Sequence, residues 1–122
     1  MEELKMKRVY EKSVSGDGYR ILVDRIWPRG VKKADADIDE WCKEITPTTE
    51  ARKAFGHDPD KFEPFKTRYL QELEENPQAP AFIQKVNDLL RHQPVTLVYA
   101  AKDETYNHVV ILKEFIEKKG WK

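Results

Sequence analysis

The chain has little of several features that would commit it to a specialised class of protein. Its 122 residues include one cysteine, Cys42, which excludes an internal disulfide and a multi-cysteine zinc site. No apolar run approaches the roughly 20 residues that a membrane helix needs. The polar residues that follow Met1 do not form a signal-peptide run. We therefore expect a cytoplasmic protein with no membrane partner.

An excess of charge of one sign is also absent, because 22 lysine and arginine residues balance 22 aspartate and glutamate residues. Nucleic-acid-binding domains are usually strongly basic, so the neutral total argues against indiscriminate binding to nucleic acid. The balance is nevertheless a cancellation. Residues 1–33 carry nine basic and five acidic residues, whereas residues 34–80 carry six basic and twelve acidic residues. A local basic surface is therefore compatible with the neutral total.

Several sequence motifs that identify a reaction are missing. The chain has no GxxxxGK[ST] phosphate loop, no GxGxxG loop and no GxSxG nucleophile elbow. Cys42 lacks the arginine that a cysteine phosphatase needs six positions later, where Thr48 stands, so we interpret it as an apolar filler. The three histidines show no metal-ligand spacing. The sequence therefore predicts no metal site and leaves any cofactor unknown.

The order of apolar segments predicts one domain over residues 1–122. Continuous apolar runs within residues 19–24 and 95–101 predict two buried strands. Residues 1–8 are a frayed terminus or the start of a strand, residues 8–10 are a short strand candidate, and residues 37–41 are a short strand or a helix turn. Helices are predicted from Thr48 to Gly56, after Asp58, before Pro94 and at the end of the chain. Strands that alternate with helices indicate a small three-layer, Rossmann-like α/β domain, with a short, mostly parallel sheet flanked by helices.

Charged and polar residues follow both predicted buried strands. Ligands of open α/β sheets bind beyond the carboxyl ends of the strands, and two parallel neighbours would bring these loops together. Arginine is suited to phosphate or carboxylate oxygens, and we expect free backbone donors at the last helix's N-terminus, near residues 105–107. The candidate ligand-binding residues are Arg25, Trp27, Arg29, Asp58, Tyr99, Lys102 and Asn107.

Three residues are candidates for catalysis. Asp24 or Asp103 would act as a general base or orient a hydroxyl group, and His57 would be an acid or base. Structural roles compete with these. Asp24 and Arg25 would instead join a structural ion pair, Asp103 would cap the last helix, and Asp58 would be a helix N-cap. Trp27 would likewise be a packing residue.

Three segments together resemble a known family. They are residues 18–30 (GYRILVDRIWPRG), residues 55–59 (FGHDP) and residues 95–103 (VTLVYAAKD) with Asn107 four positions on. They are similar to the signature of the YeaO-like family of domains of unknown function, the DUF488 family, and the similarity runs over about residues 8–117. The resemblance implies a compact, Rossmann-like α/β domain of bacteria and archaea. It directs attention to the charged residues of these segments but implies no reaction.

These observations leave three functions open. The first is a charged pocket for a small anionic ligand, a nucleotide or phosphorylated metabolite, with or without hydrolase or transferase activity. The second is association with nucleic acid, which the missing helix-turn-helix and RNA motifs disfavour. The third is a non-catalytic interaction or regulatory domain, for which a homodimer is one form. The sequence alone does not show whether the protein is an enzyme.

Overall fold

The computed structural model describes residues 2–120, which form a four-stranded sheet with five α-helices. The strands are β1 (Leu4–Arg8), β2 (Tyr19–Leu22), β3 (Glu40–Trp41) and β4 (Val95–Tyr99). The helices are α1 (Lys33–Ala36), α2 (Thr49–Phe55), α3 (Phe62–Glu75), α4 (Ala79–Leu90) and α5 (His108–Gly120). The sheet order is β1-β4-β2-β3, and every neighbouring pair is parallel. The predicted α/β class with a short parallel sheet is confirmed.

The sheet carries apolar residues on both faces, as its continuous apolar runs predict. Ile21 and Leu97 face the larger core, which contains buried residues from α2 to α5. Leu22 and Val98 face a smaller core on the opposite side, where they join Ala36 of α1 and the loop before β3. Helices and loops thus cover both faces, and the three layers are unequal in size.

The parallel pairing brings the carboxyl ends of the strands to one edge. β2 aligns Ile21 with Leu97 of β4, and β1 aligns Arg8 with Tyr99 of β4. The loops that follow β2 and β4 therefore leave the sheet side by side. The expectation that the two buried strands are parallel neighbours is confirmed.

The predicted helix boundaries around α2 are confirmed. The Thr48 hydroxyl accepts a hydrogen bond from the Ala51 backbone N–H at 3.2 Å, as an N-cap does. Gly56 ends the helix in the left-handed conformation, with φ of 54°. Asp58 then caps the 3₁₀ turn Pro59–Lys61 that precedes α3, and its Oδ1 accepts from the Asp60 backbone N–H at 3.0 Å.

The first strand departs from the prediction. It lies at Leu4–Arg8, within the segment that was either a frayed terminus or the start of a strand, and the candidate at residues 8–10 does not continue it beyond Arg8. Its lysines hide the strand pattern, because they extend away from the sheet to polar partners: Lys5 Nζ donates to the Gly16 carbonyl at 2.9 Å and Lys7 Nζ contacts Asp17 Oδ2 at 3.2 Å. The neighbouring strand β4 ends at Tyr99, two residues before its predicted end.

Among the residues that the structure describes, no helix combines the length and the apolar character that a membrane span requires.

Candidate functional site

A cleft opens at the edge of the sheet where β2 and β4 end. Its volume is about 870 Å³, within the range of about 300–1,000 Å³ that is typical of small-molecule sites. The lining residues come from the loops after β2 and β4, from the segment before α2, from α2 and from the first turn of α5. They are Asp24, Arg25, Ile26, Trp27, Arg29, Thr46, Pro47, Arg52, His57, Ala100, Ala101, Lys102, Asp103 and His108.

Seven of the ten candidate residues from the sequence line this cleft. They are Asp24, Arg25, Trp27, Arg29, His57, Lys102 and Asp103. Asn107 lines a smaller adjoining cavity. Tyr99 is buried within β4, and Asp58 caps the turn before α3, so neither lines the two cavities. The loops after β2 and β4 thus converge, and the functional roles of their residues stay predictions.

Asp24 is the carboxylate at the base of the cleft. Its Oδ2 accepts a hydrogen bond from the Ala100 backbone N–H at 2.9 Å, and its Oδ1 lies 3.4 Å from His108 Nε2. Burial raises the pKa of Asp24 above its ordinary value, although the neighbouring His108 opposes this shift. Asp24 therefore bonds to the loop after β4 and lies beside His108 of α5. Among residues 2–120 it pairs with no arginine or lysine, and its contact with His108 is an ion pair only when that imidazole is protonated.

His108 is a residue of this site that the sequence did not indicate. Its Nε2 lies 2.6 Å from the Val23 carbonyl oxygen, which can only accept, so Nε2 carries the hydrogen and Nδ1 has the free lone pair. Burial lowers the pKa of His108, although Asp24 acts in the opposite direction. His108 is therefore a neutral imidazole near pH 7. The first turn of α5 places it between the ends of β2 and β4.

Arg25 extends from the loop after β2 to the segment before α2. Its Nε donates to the Pro47 carbonyl at 3.0 Å and its Nη2 to the Thr46 carbonyl at 3.3 Å. Two backbone carbonyls therefore fix the guanidinium without neutralising its charge. Both carbonyls belong to residues that line the cleft.

The other basic residues of the cleft are exposed. Arg29 follows β2, Lys102 follows β4 and Arg52 projects from α2. Within residues 2–120, none of these three, nor Arg25, forms an ion pair with a carboxylate. The cleft therefore has four cationic side chains whose charge no carboxylate pairs.

His57 occupies an uncommon backbone conformation beside the cleft. It has φ of 59°, directly after Gly56 with φ of 54°, so two consecutive residues are left-handed. Such a conformation is rare for a residue with a side chain, although histidine tolerates it better than most. The imidazole is exposed, and its centroid lies 5.9 Å from that of Phe55. The turn thus places the ring at the mouth of the cleft.

Asp103 and Asn107 organise the loop between β4 and α5. Asp103 Oδ1 accepts from the backbone N–H groups of Thr105 and Tyr106, both at 2.9 Å, and these two bonds lower the pKa of its carboxyl group. Asn107 Oδ1 accepts from the first N–H groups of α5, those of residues 109 and 110, at 2.8 Å and 3.1 Å. Asn107, not Asp103, is therefore the N-cap of the last helix.

This cap corrects a second expectation from the sequence. The N-terminus of the last helix was expected to offer free backbone donors to an anion. The N–H groups of Val109 and Val110 instead donate to the Asn107 side chain. That side chain is buried, and its amide donates to the Asp103 carbonyl at 2.8 Å. The cations of the cleft, and not this helix end, supply its positive potential.

Trp27 both packs and lines the cleft. Its Nε1 donates to the Val31 carbonyl at 2.7 Å, and its ring meets Trp41 edge-to-face with centroids 5.4 Å apart. Trp41 in turn donates from Nε1 to the Asp24 backbone carbonyl at 2.7 Å. The two tryptophans therefore hold the loop after β2 against β3, which makes Trp27 a packing residue with one surface toward the cleft.

The single thiol, Cys42, lines neither of the cavities at this edge of the sheet. Cys42 is 8% exposed, and its Sγ lies 3.6 Å from Glu44 Oε2. Burial and this carboxylate raise the pKa of Cys42 to about 11, so the thiol stays protonated. In the part of the chain that the structure describes, no three acidic, histidine or cysteine side chains are grouped as a metal site would need.

A second cavity of about 330 Å³ adjoins the cleft. Its walls include the aromatic pair Phe55 and Phe65, whose rings stack with centroids 4.4 Å apart and planes 11° apart. The polar side chains of Thr49 and Lys53 also line it. Five residues belong to both cavities: Ile26, Arg52, His57, Ala101 and His108.

Two site residues, Arg52 and His108, were not predicted from the sequence, for different reasons. Arg52 looks like one of many charged residues on the exposed face of a helix, and only the packing of α2 beside the end of β2 reveals its position. His108 follows the asparagine that caps α5, so its spacing from Lys102 and Asp103 could have suggested that it faces the same edge. Its contact with Asp24 could not be predicted without the register of β2 on β4.

Comparison with known proteins supports the resemblance that the motifs suggested. A family model described as the inactive DUF488-N3 subclade matches residues 3–121. The uncharacterized protein YeaO of Escherichia coli (strain K12) is 46% identical over 113 residues, which are 93% of this chain and 96% of that protein. The uncharacterized protein Rv3073c of Mycobacterium tuberculosis (strain ATCC 25618 / H37Rv) is 34% identical over 113 residues, 93% of this chain and 92% of that protein. No solved structure matches the chain significantly. The chain belongs to the YeaO-like DUF488 family.

Proposed function

We propose that the protein binds a small anionic ligand, a nucleotide or another phosphorylated metabolite, in the cleft at the ends of β2 and β4. The observation that carries the proposal is a set of four cationic side chains, Arg25, Arg29, Arg52 and Lys102, that line one cleft and form no ion pair with a carboxylate of residues 2–120. A cationic side chain that forms an ion pair with a carboxylate of the protein is already neutralised without a ligand. These four are free to bind one.

The two carboxylates of the cleft offset only part of its positive charge, because four cationic side chains line the cleft beside two carboxylates. Asp24 is mostly buried, and its oxygens face the Ala100 N–H and His108. Asp103 Oδ1 accepts hydrogen bonds from the backbone N–H groups of Thr105 and Tyr106. Both carboxylates thus have partners within the protein, and among residues 2–120 the cations of the cleft pair with neither of them.

Arg25 is the residue best prepared to hold an anion. Its guanidinium is fixed by the Thr46 and Pro47 carbonyls, so little side-chain entropy is lost when a ligand binds. Arg29 and Lys102 are exposed and would complete the contacts from the two strand ends. Arginine binds phosphate through a planar pair of N–H donors, whereas lysine contributes a point charge.

Binding without turnover is the form of this function that we favour. The family model that matches the chain is described as inactive. The candidate bases of the cleft also have structural roles. Asp24 contacts both the loop after β4 and α5, and Asp103 accepts a hydrogen bond that closes the turn before α5. A protein that recognises the ligand and signals its presence requires no proton transfer from either.

The test is binding of inorganic phosphate, pyrophosphate and adenosine 5′-monophosphate at constant ionic strength, with chloride as the reference anion. A ligand at 100 times its Kd stabilises a folded protein by about 2.7 kcal/mol, so a Tm increase on the order of 10 °C is expected for a domain of this size. Arg29→Ala combined with Lys102→Ala should weaken binding at least about tenfold, which is 1.4 kcal/mol.

Arg91→Ala is the matched control, because Arg91 is an exposed arginine before β4, at the opposite edge of the sheet. It should leave the affinity unchanged. If the native protein does not distinguish any of the three anions from chloride, the proposed function is wrong. Equal loss of affinity in the control and in the double variant would show that binding depends on general charge and not on the cleft.

One observation favours a second candidate function, hydrolysis of a bound phosphate ester. His108 is held at Nε2 by the Val23 carbonyl, beside Asp24, which leaves Nδ1 to accept a proton from water. Release of inorganic phosphate from adenosine 5′-monophosphate tests it. Turnover that His108→Gln abolishes, with ligand affinity retained, would support it, and the absence of turnover with bound ligand would exclude this activity for the ester tested.

A further inference from the structure

We infer that the anion of this site is the phosphate of a nucleoside monophosphate, whose base occupies the smaller cavity beside the cleft. This inference rests on the proposed function, and it adds the part of the ligand that is not charged. The cationic cleft adjoins a second cavity of about 330 Å³, which has largely apolar walls.

The boundary between the two cavities is made of exposed side chains that can contact a flat ring. Ile26, Arg52 and His57 line both cavities, and all three are exposed. An imidazole and a guanidinium each stack on a planar ring, and an aliphatic side chain packs against its face. A ligand that runs from one cavity into the other must pass these three groups.

Ile26 is the clearest sign of an uncharged ligand part. It is 64% exposed, the highest exposure among the large apolar side chains that line either cavity. Folding leaves this apolar surface in water, although burial of such a side chain is favourable. A ligand of phosphate alone would leave it uncovered. A ring that lies against Ile26 would remove it from water.

The smaller cavity also carries polar groups, which distinguish a heterocycle from a hydrocarbon ring. The Thr49 hydroxyl and the Lys53 ammonium line it, next to the stacked rings of Phe55 and Phe65. A nucleobase offers ring nitrogens and carbonyl or amino groups at its edge for such partners, together with apolar faces. A purely aliphatic or phenyl group could not hydrogen-bond to either of these exposed side chains.

Isothermal titration with four probes tests the inference: adenosine 5′-monophosphate, ribose 5-phosphate, phenyl phosphate and adenosine. The nucleotide should bind at least tenfold more tightly than each of the other three, because only it fills both cavities. If ribose 5-phosphate or phenyl phosphate binds as tightly as the nucleotide, the inference is overturned while the proposed anion site stands. If no phosphate-bearing probe binds, the proposed function itself has failed.

Two variants separate the base from the phosphate. Ile26→Ser and His57→Asn should each weaken binding of the nucleotide at least fivefold and weaken binding of ribose 5-phosphate by a smaller factor, because both residues also line the cleft. Asparagine also tolerates the left-handed backbone at position 57, so the turn is preserved. Val14→Ser is the matched control for Ile26→Ser, because Val14 is 53% exposed and lines neither cavity. If both site variants bind the nucleotide as the native protein does, the smaller cavity does not hold the base.

Discussion

Replacement of Asp17 by asparagine should destabilise the fold strongly, because this carboxylate neutralises a buried arginine. Asp17 and Arg20 are 5% and 2% exposed, and Asp17 Oδ2 lies 2.6 Å from Arg20 Nη1. Lys7 Nζ also lies 3.2 Å from the same oxygen. The network joins β1, β2 and the turn between them, on the amino side of the sheet, away from the cleft. Asp17→Asn keeps the shape of the side chain and removes its charge.

The magnitude follows from what remains around Arg20. Removal of one partner from a buried ion pair costs about 3–5 kcal/mol. Arg20 keeps two neutral partners, since its Nε donates to the Asp37 carbonyl at 2.9 Å and its Nη2 to the Ala36 carbonyl at 3.0 Å. Lys7 reaches solvent and adds little. We therefore expect the lower end of the range, about 3 kcal/mol, and a Tm decrease on the order of 10 °C.

Urea unfolding followed by circular dichroism measures this loss. Asp88→Asn is the control, because Asp88 forms an exposed pair with Arg91 at 3.8 Å, and it should change the free energy of unfolding by less than about 0.5 kcal/mol. A loss below about 1 kcal/mol for Asp17→Asn would refute the assigned role of the carboxylate.

The same network has a pH signature. Burial raises the pKa of Asp17, but the Val14 N–H, Lys7 and Arg20 outweigh it and hold the pKa below its ordinary value. The stabilisation is therefore complete above the unfolded pKa of about 3.9, and it is lost as the pH falls through the lower folded value. Asp17→Asn should lack this acid-dependent loss.

Three further predictions address other features of the fold and site. Gly18→Ala should prevent folding or cost at least about 3 kcal/mol, measured by urea unfolding, because φ is 67° and a Cβ would lie 2.0 Å from the Pro94 carbonyl oxygen. Cys42 has a pKa of about 11, so a thiol reagent at pH 8 should label it in urea but not in the native protein. Burial lowers the pKa of His108, so native stability should be constant above about pH 6.5 and fall as the pH decreases below it. His108→Gln should flatten this dependence, and an unchanged slope would show that another group is responsible.

The sequence predicts those parts of the fold that local physical chemistry determines. The apolar run of β4 can only be a buried strand, and Thr48 and Gly56 bound α2 because a cap and a left-handed stop are properties of a few neighbouring residues. β1 was misplaced because its lysines alternate with Leu4 and Met6 and resemble a charged terminus. Only the pairing of Leu4 with Val95 of β4 shows that these residues form an edge strand.

The candidate site was predicted to the extent that topology determines it. Parallel neighbours must bring the loops after β2 and β4 to one edge, which is why Arg25, Arg29 and Lys102 line a common cleft. Arg52 lies on α2, and no local sequence pattern determines where that helix packs. The N-cap role of Asn107 could have been weighed from the sequence, since asparagine is a preferred cap, but Asp103 competes for the same role four residues earlier.

The neutral total charge favours a small anion over a polyanion for this cleft. Each phosphate of a nucleic acid needs a cation along an extended surface, and binding then weakens with salt in proportion to the number of phosphates contacted. Residues 34–80 carry twelve acidic against six basic residues, so a long polyanion on the cleft would approach a net acidic part of the chain. A single phosphate does not extend that far. Under the proposed function the cations of the cleft contact one small anion, and its affinity should therefore fall much less steeply with salt than that of a nucleic-acid complex.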